Sequence, residues 1–134
     1  MDQKNAAPKY LPGSCNIGEK EIQRRYCIGF IGLSLTIITI ILIYFLKADR
    51  YWRLIIFIPV FYSLSGFIQA VTKFCFVFGF RSVFSLEGRR KLTRVEDNDS
   101  KRKDMKKAFQ IVGVVTLLSI IITTVYFSLK LISL

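Results

Sequence analysis

Three uninterrupted apolar stretches constrain this sequence more than anything else in it. Cys27 to Leu46 is a run of 20 residues without a charge, Leu54 to Thr72 a run of 19, and Gln110 to Leu129 another of 20. At about 1.5 Å of helix rise per residue, each run matches the roughly 30 Å hydrocarbon core of a bilayer. The spacing predicts an all-α membrane protein with three transmembrane helices. It divides the chain into a polar N-terminal arm over 1–26, a transmembrane hairpin with a Phe-rich tail over 27–80, a basic loop over 81–109, and a third span with the C-terminus over 110–134.

Charge is concentrated between these runs. The chain carries 20 Lys and Arg against 9 Asp and Glu, a net charge of +11, although 52% of it is hydrophobic. With the amino end in the cytoplasm, the inner segments hold 15 basic residues and the outer ones four, with Lys73 left at the edge of the second span. The positive-inside rule therefore predicts a cytoplasmic N-terminus, a cytoplasmic basic loop and an external C-terminus. Arg24, Arg25, Arg89, Arg90 and Lys91 are expected to meet anionic phospholipid headgroups, at about 1 kcal/mol for each group near the surface. Nucleic-acid binding is not expected, because no aromatic residue is interleaved with the charges over 87–108.

Several chemistries are disfavoured by residue type. There is no histidine, and three cysteines supply neither a four-thiolate zinc site nor two disulfides. The spans contain no Asp, Glu or His, the groups with which proton-coupled carriers bind and release cations. No cofactor or metal is expected, and the chain is read as not an enzyme. The first apolar run ends in Tyr44-Phe45-Leu46-Lys47 rather than in small residues, so it is expected to remain as a helix. Leu11-Pro12-Gly13-Ser14-Cys15 loosely resembles a lipoprotein cleavage box, but no apolar run precedes it and acylation of Cys15 is not expected.

Within lipid, helices associate through small residues and a few hydrogen bonds. Gly29, Gly32, Thr36 and Thr39 fall within an arc of roughly 80° on the first span. On the second, Ser63, Gly66, Gln69, Ala70 and Lys73 fall within about 120°; on the third, Gly113, Thr116, Ser119, Thr123 and Thr124 fall within about 140°. Helix packing accounts for these stripes most simply, and a polar pathway is the sharper alternative. Gln69 and Lys73 are the strongly polar groups nearest the membrane interior, with Lys73 placed as an interfacial anchor. Pro59 falls early in the second span, where it costs little. The second span is expected to end at Lys73, leaving Phe74–Phe80 in the interface, and Asp97-Asn98-Asp99-Ser100 reads as a turn that caps a helix. Cys15, Cys27 and Cys75 are expected to be free thiols, Cys75 being the one with cations close in sequence.

Asn16-Ile17-Gly18, Glu21, Arg24 and Gly29, leading straight into an apolar helix, together with Gly66 and Phe74-Cys75-Phe76, resemble the YgaP-type inner-membrane domain family over roughly residues 16 to 85. Members are two-helix bacterial inner-membrane domains, some attached to a rhodanese sulfurtransferase domain. The resemblance implies a bacterial inner-membrane setting and a thiol site at Cys75. The chain departs from the pattern in Phe76, where the family usually has proline, and in its basic loop and third helix; no rhodanese domain is read in these residues. The opening residues also have a simpler account: Asn16 and Gly18 form a turn, Glu21 sits in a first helical turn, and Arg24 and Arg25 anchor to phosphates. These observations predict a small accessory or scaffold subunit that packs against a membrane partner or its own copies. The alternatives are a thiol-handling protein using Cys75 with a soluble sulfurtransferase partner, or an oligomeric pore.

Overall fold

The computed structural model describes residues 10–86 and 92–129. Three helical segments are long and apolar enough to cross a membrane: Glu19–Phe45, Arg50–Thr72 and Asn98–Ser128. The first is α1, Glu19–Phe45. The second opens as a 3-10 turn, Arg50–Ile56, and continues as α2, Phe57–Thr72. Pro59 has no N–H to offer the Ile55 carbonyl, and the chain ahead of it is wound in the tighter form.

Lys73 ends α2 in the left-handed conformation, φ 55°. After Phe74 and the extended Cys75 comes a short helix α3, Phe76–Arg81. Strands β1, Val83–Phe84, and β2, Thr93–Arg94, pair antiparallel, and Ile17 bridges Ser85 in parallel. The last helix, α4, runs Asn98–Ser128; the Asp97 carboxylate caps it by accepting from Ser100 N–H at 3.2 Å and Ser100 Oγ at 2.9 Å.

Two expectations need correction. The arm drawn over 1–26 is helical from Glu19, because charged residues end a membrane span without ending a helix. The loop drawn over 81–109 contains a strand pair and the first turns of α4, which starts 12 residues ahead of Gln110. The basic cluster Lys101 to Lys107 lies in the helix that the Asp97–Ser100 turn is expected to cap, which leads straight into the third apolar run. Arg89, Arg90 and Lys91 lie outside the described residues.

The helix α2 is central, flanked by α1 on one side and α4 on the other. One apolar cluster joins Ile43 of α1, Ile56, Val60 of α2 and Tyr126 of α4; a second joins Phe74 to Ala108, Ile111 and Val115 of α4. Large apolar side chains such as Phe30, Ile37, Leu42, Leu117 and Ile121 face outward from α1 and α4, an arrangement that suits hydrocarbon as the surroundings. Ser34, Thr36, Thr39, Thr72 and Ser119 each donate back to the carbonyl four residues earlier, so their hydroxyls are satisfied within their own helices.

Candidate functional site

Glycine brings α1 against α2. A Cβ on Gly66 would lie 2.5 Å from Gly29 N and 2.8 Å from the Arg25 carbonyl oxygen, and one on Gly32 would lie 2.5 Å from Ser63 N. Ser63 Oγ donates across the crossing to the Gly29 carbonyl at 2.9 Å. Backbones this close admit no side chain at these positions. Thr36 is half-buried beside them, its hydroxyl turned to Gly32 O at 2.8 Å. On α4, Thr116 is half-buried, whereas Gly113 has no atom within 4 Å of where its Cβ would stand; it does not join the crossing expected of it. The inner face of α4 is instead Asp104, Ala108, Ile111, Val115, Ser119, Thr123 and Tyr126.

Close approach of α1 and α2 leads directly to the polar site, because Arg25 lies one helical turn before Gly29. Its Nη2 donates to Cys75 Sγ at 3.1 Å and lies 3.9 Å from Glu21 Oε2. The guanidinium, a rigid fork of N–H donors, thus places one donor on a buried sulfur. Arg25 was expected at the headgroups; the register of α1 turns it inward to Glu21 and Cys75 instead. Arg24, next to it, is half-buried.

Cys75 is fully buried and held by its backbone. The Asn16 side chain spans it: Oδ1 accepts from Cys75 N–H at 2.7 Å and Nδ2 donates to the Cys75 carbonyl at 3.0 Å. Asn16 N–H in turn donates to the Lys73 carbonyl at 3.2 Å. The left-handed Lys73 turns the chain out of α2, with Phe74 N–H closing the turn on the Gln69 carbonyl at 3.1 Å and Cys75 extended beyond it. The Lys73 side chain is exposed and takes no part in the cluster.

Among the described residues the cluster carries three buried polar atoms without a hydrogen-bond partner: Glu21 Oε2, Arg25 Nε and Gln69 Oε1. Gln69 is buried and donates through Nε2 to Ser65 O at 2.9 Å, leaving its oxygen unmatched. A buried group left unmade costs about 1–3 kcal/mol, and the same shortfall recurs away from this cluster at Arg53 Nε, Thr123 Oγ1 and Tyr126 Oη, so what sets the cluster apart is a guanidinium donating to a buried thiol. No grouping of three or more His, Cys, Asp or Glu suited to a metal occurs among the described residues. Cys27 is exposed and Cys15 half-buried, and all three thiols are free.

Residue type alone assigns Asn16, Glu21 and Asp104 to no site, and assigns Arg25 to the headgroups. Asp104 is fully buried although Lys103 precedes it in a basic stretch; it accepts from Tyr10 Oη at 2.5 Å and from Gly13 N–H at 2.7 Å. Burial first, then the Asp104 carboxylate, raises the Tyr10 phenol well above its ordinary value. A period of three to four from Asp104 through Ala108, Ile111 and Val115 was the available signal for its inward position.

At the opposite end of the bundle, Arg53 is buried and donates from Nη1 to the Leu129 carbonyl at 2.9 Å, capping α4, while the Arg50 guanidinium sits 4.2 Å over the Phe127 ring. No family model, no curated protein and no solved structure matches the chain.

Proposed function

We propose that the chain is a multi-pass membrane protein that handles sulfur through Cys75, accepting it from a soluble thiol partner at the membrane surface. The observation that carries this reading is the Arg25 Nη2 to Cys75 Sγ contact of 3.1 Å, set beside a buried carboxylate oxygen that has no hydrogen-bond partner among the described residues. As the reaction, the Cys75 thiolate attacks the outer sulfur of a donor persulfide, R–S–SH. The donor S–S bond breaks, R–S⁻ leaves with the electron pair, and Cys75–S–SH remains; Arg25 balances the negative charge before transfer. The protein is an acceptor in this step, not a turnover catalyst, and a sulfurtransferase is the class of partner proposed. Persulfide-selective labelling of intact membranes tests it: labelling should vanish in Cys75→Ser and fall in Arg25→Gln. Unaltered labelling in Cys75→Ser sinks the reading.

The same proposal puts the chain in a bacterial inner membrane with its amino end cytoplasmic. Exposed Lys20, Lys73, Arg81, Arg94, Arg102 and Lys106 support contact with anionic headgroups at that end.

A second reading, an accessory subunit that packs against another membrane helix or a second copy, is favoured by Gly113, which leaves open space on the outer side of α4. Co-purification in mild detergent, with Gly113→Leu as the disrupting variant, tests it; a partner retained equally by both forms argues against Gly113 as the contact.

A further inference from the structure

The segment 10–18 is tied down at three places, and the middle one closes over Cys75. At its start, Tyr10 Oη and Gly13 N–H both donate to the Asp104 carboxylate, at 2.5 and 2.7 Å, while the Tyr10 ring stacks on Phe84 with centroids 4.2 Å apart. In the middle, Asn16 spans the Cys75 backbone. At its end, Gly18 N–H donates to Ser85 O at 2.9 Å and Ser85 N–H to Asn16 O at 3.0 Å; a Cβ on Gly18 would collide with the Leu86 carbonyl. Asn16, Ile17, Phe74 and Cys75 are each 0% exposed, so water reaches none of them while the segment is down.

The first tie differs in kind from the other two. Asp104 is one carboxylate, carried on a different element, that receives two donors from the segment, and hydrogen bonds to an ionised acceptor are the stronger sort. Only two residues separate Gly13 from Asn16, so freeing Gly13 loosens the backbone that holds Asn16 on Cys75.

We infer that residues 10–18 form a strap latched by Asp104, and that its release uncovers the Cys75 sulfur to small thiol-reactive molecules from the water side. The inference rests on Cys75 being a thiol site, and it supplies the regulation of that site. A closed strap protects the sulfur, and an open one admits the donor. Opening is a local unfolding event, whose frequency rises when a tie is lost.

The test uses the full chain in phospholipid vesicles with Cys15→Ser and Cys27→Ser, which leaves Cys75 as the single thiol. Labelling by a membrane-impermeant maleimide is timed in this parent, in Asp104→Asn, which keeps the shape but removes the charge, and in Tyr10→Phe, which keeps the ring but removes one donor. The latch predicts a rate increase of roughly tenfold or more in Asp104→Asn, the size expected for a lost charge-assisted hydrogen bond, and a smaller increase in Tyr10→Phe. Helicity of each variant, read by circular dichroism, reports general loosening. Rates unchanged from the parent overturn the latch, as does a rise that comes only with a general loss of helicity. Faster maleimide labelling with no persulfide on Cys75 keeps the strap and removes the sulfur reading; persulfide on Cys75 with no acceleration does the reverse.

Discussion

Replacing Gly66 with alanine would test whether α1 and α2 are held by backbone contact. The added Cβ would meet Gly29 N at 2.5 Å, Arg25 O at 2.8 Å and Gly29 Cα at 2.9 Å, all atoms of the α1 backbone that cannot swing aside. Ordinary contact needs about 3.4–4 Å, so α1 must move off by roughly 1 Å. Overpacking of this kind costs about 1–3 kcal/mol. The shift also stretches the Ser63 Oγ to Gly29 O bond, at 2.9 Å in the parent, whose loss adds about 1 kcal/mol. Higher helix propensity of alanine returns about 1 kcal/mol. The net expectation is about 2 kcal/mol, or roughly 30-fold in the unfolding equilibrium. Reversible unfolding in mixed micelles, followed by circular dichroism, reads it out. Gly113→Ala is the control, since its Cβ meets nothing within 4 Å; it should be neutral or up to about 1 kcal/mol more stable. A Gly66→Ala protein within about 0.5 kcal/mol of the parent, or a Gly113→Ala protein destabilised to the same degree, would refute the reasoning.

Removing the Asn16 clamp by Asn16→Ala leaves the buried Cys75 N–H and carbonyl without their side-chain partner, and about 2–4 kcal/mol of local stability should go; amide exchange at Cys75 measures it, and unchanged protection refutes the clamp. Arg53→Met removes the donor to Leu129 O, so the last turn of α4 should fray, with amide exchange near Tyr126 rising about tenfold. Because burial and Asp104 hold the Tyr10 phenol above its ordinary 10.0, the tie it makes is fully present below pH 10 and weakens as alkali approaches the higher folded value; a Tyr10 absorbance titration that turns at pH 10 contradicts this. Asp97 is lowered from its ordinary 3.8 by its bonds to Ser100, so its cap contributes above that pH and is lost as pH falls through the lower folded value; helicity near Ser100 that is indifferent to acid would contradict it.

Hydropathy made the spans legible but not where the helices begin, which only the local signals at Glu21 and Asp97–Ser100 marked, for a physical reason. A bilayer sorts side chains by charge, but a helix continues wherever its hydrogen bonds do, which is why α1 reaches back to Glu19 and α4 to Asn98. Gly29, Gly32 and Gly66 were visible because small residues at helical spacing carry a direct steric meaning, and Asp97 because capping chemistry is local. Gln69 and Cys75 stood out as polar and thiol groups near apolar chain. What joins them did not: Arg25 meets Cys75 across 50 residues and Tyr10 meets Asp104 across 94, and no periodicity encodes either pairing. Arg25 was therefore placed at phosphates, a sensible assignment for a cation beside a span until the rotation of α1 is known. Lys73, read from the sequence as an interfacial anchor although close to Cys75 in the chain, stands in a left-handed turn with its side chain exposed.

The 31 unbroken residues of α4 make a tie-rod about 46 Å long, from beside the Tyr10 anchorage to the Arg53 cap. A stiff rod that tilts about its middle moves both extremities in opposite senses, so a tilt of that kind that draws Asp104 from Tyr10 also shifts Leu129 against Arg53.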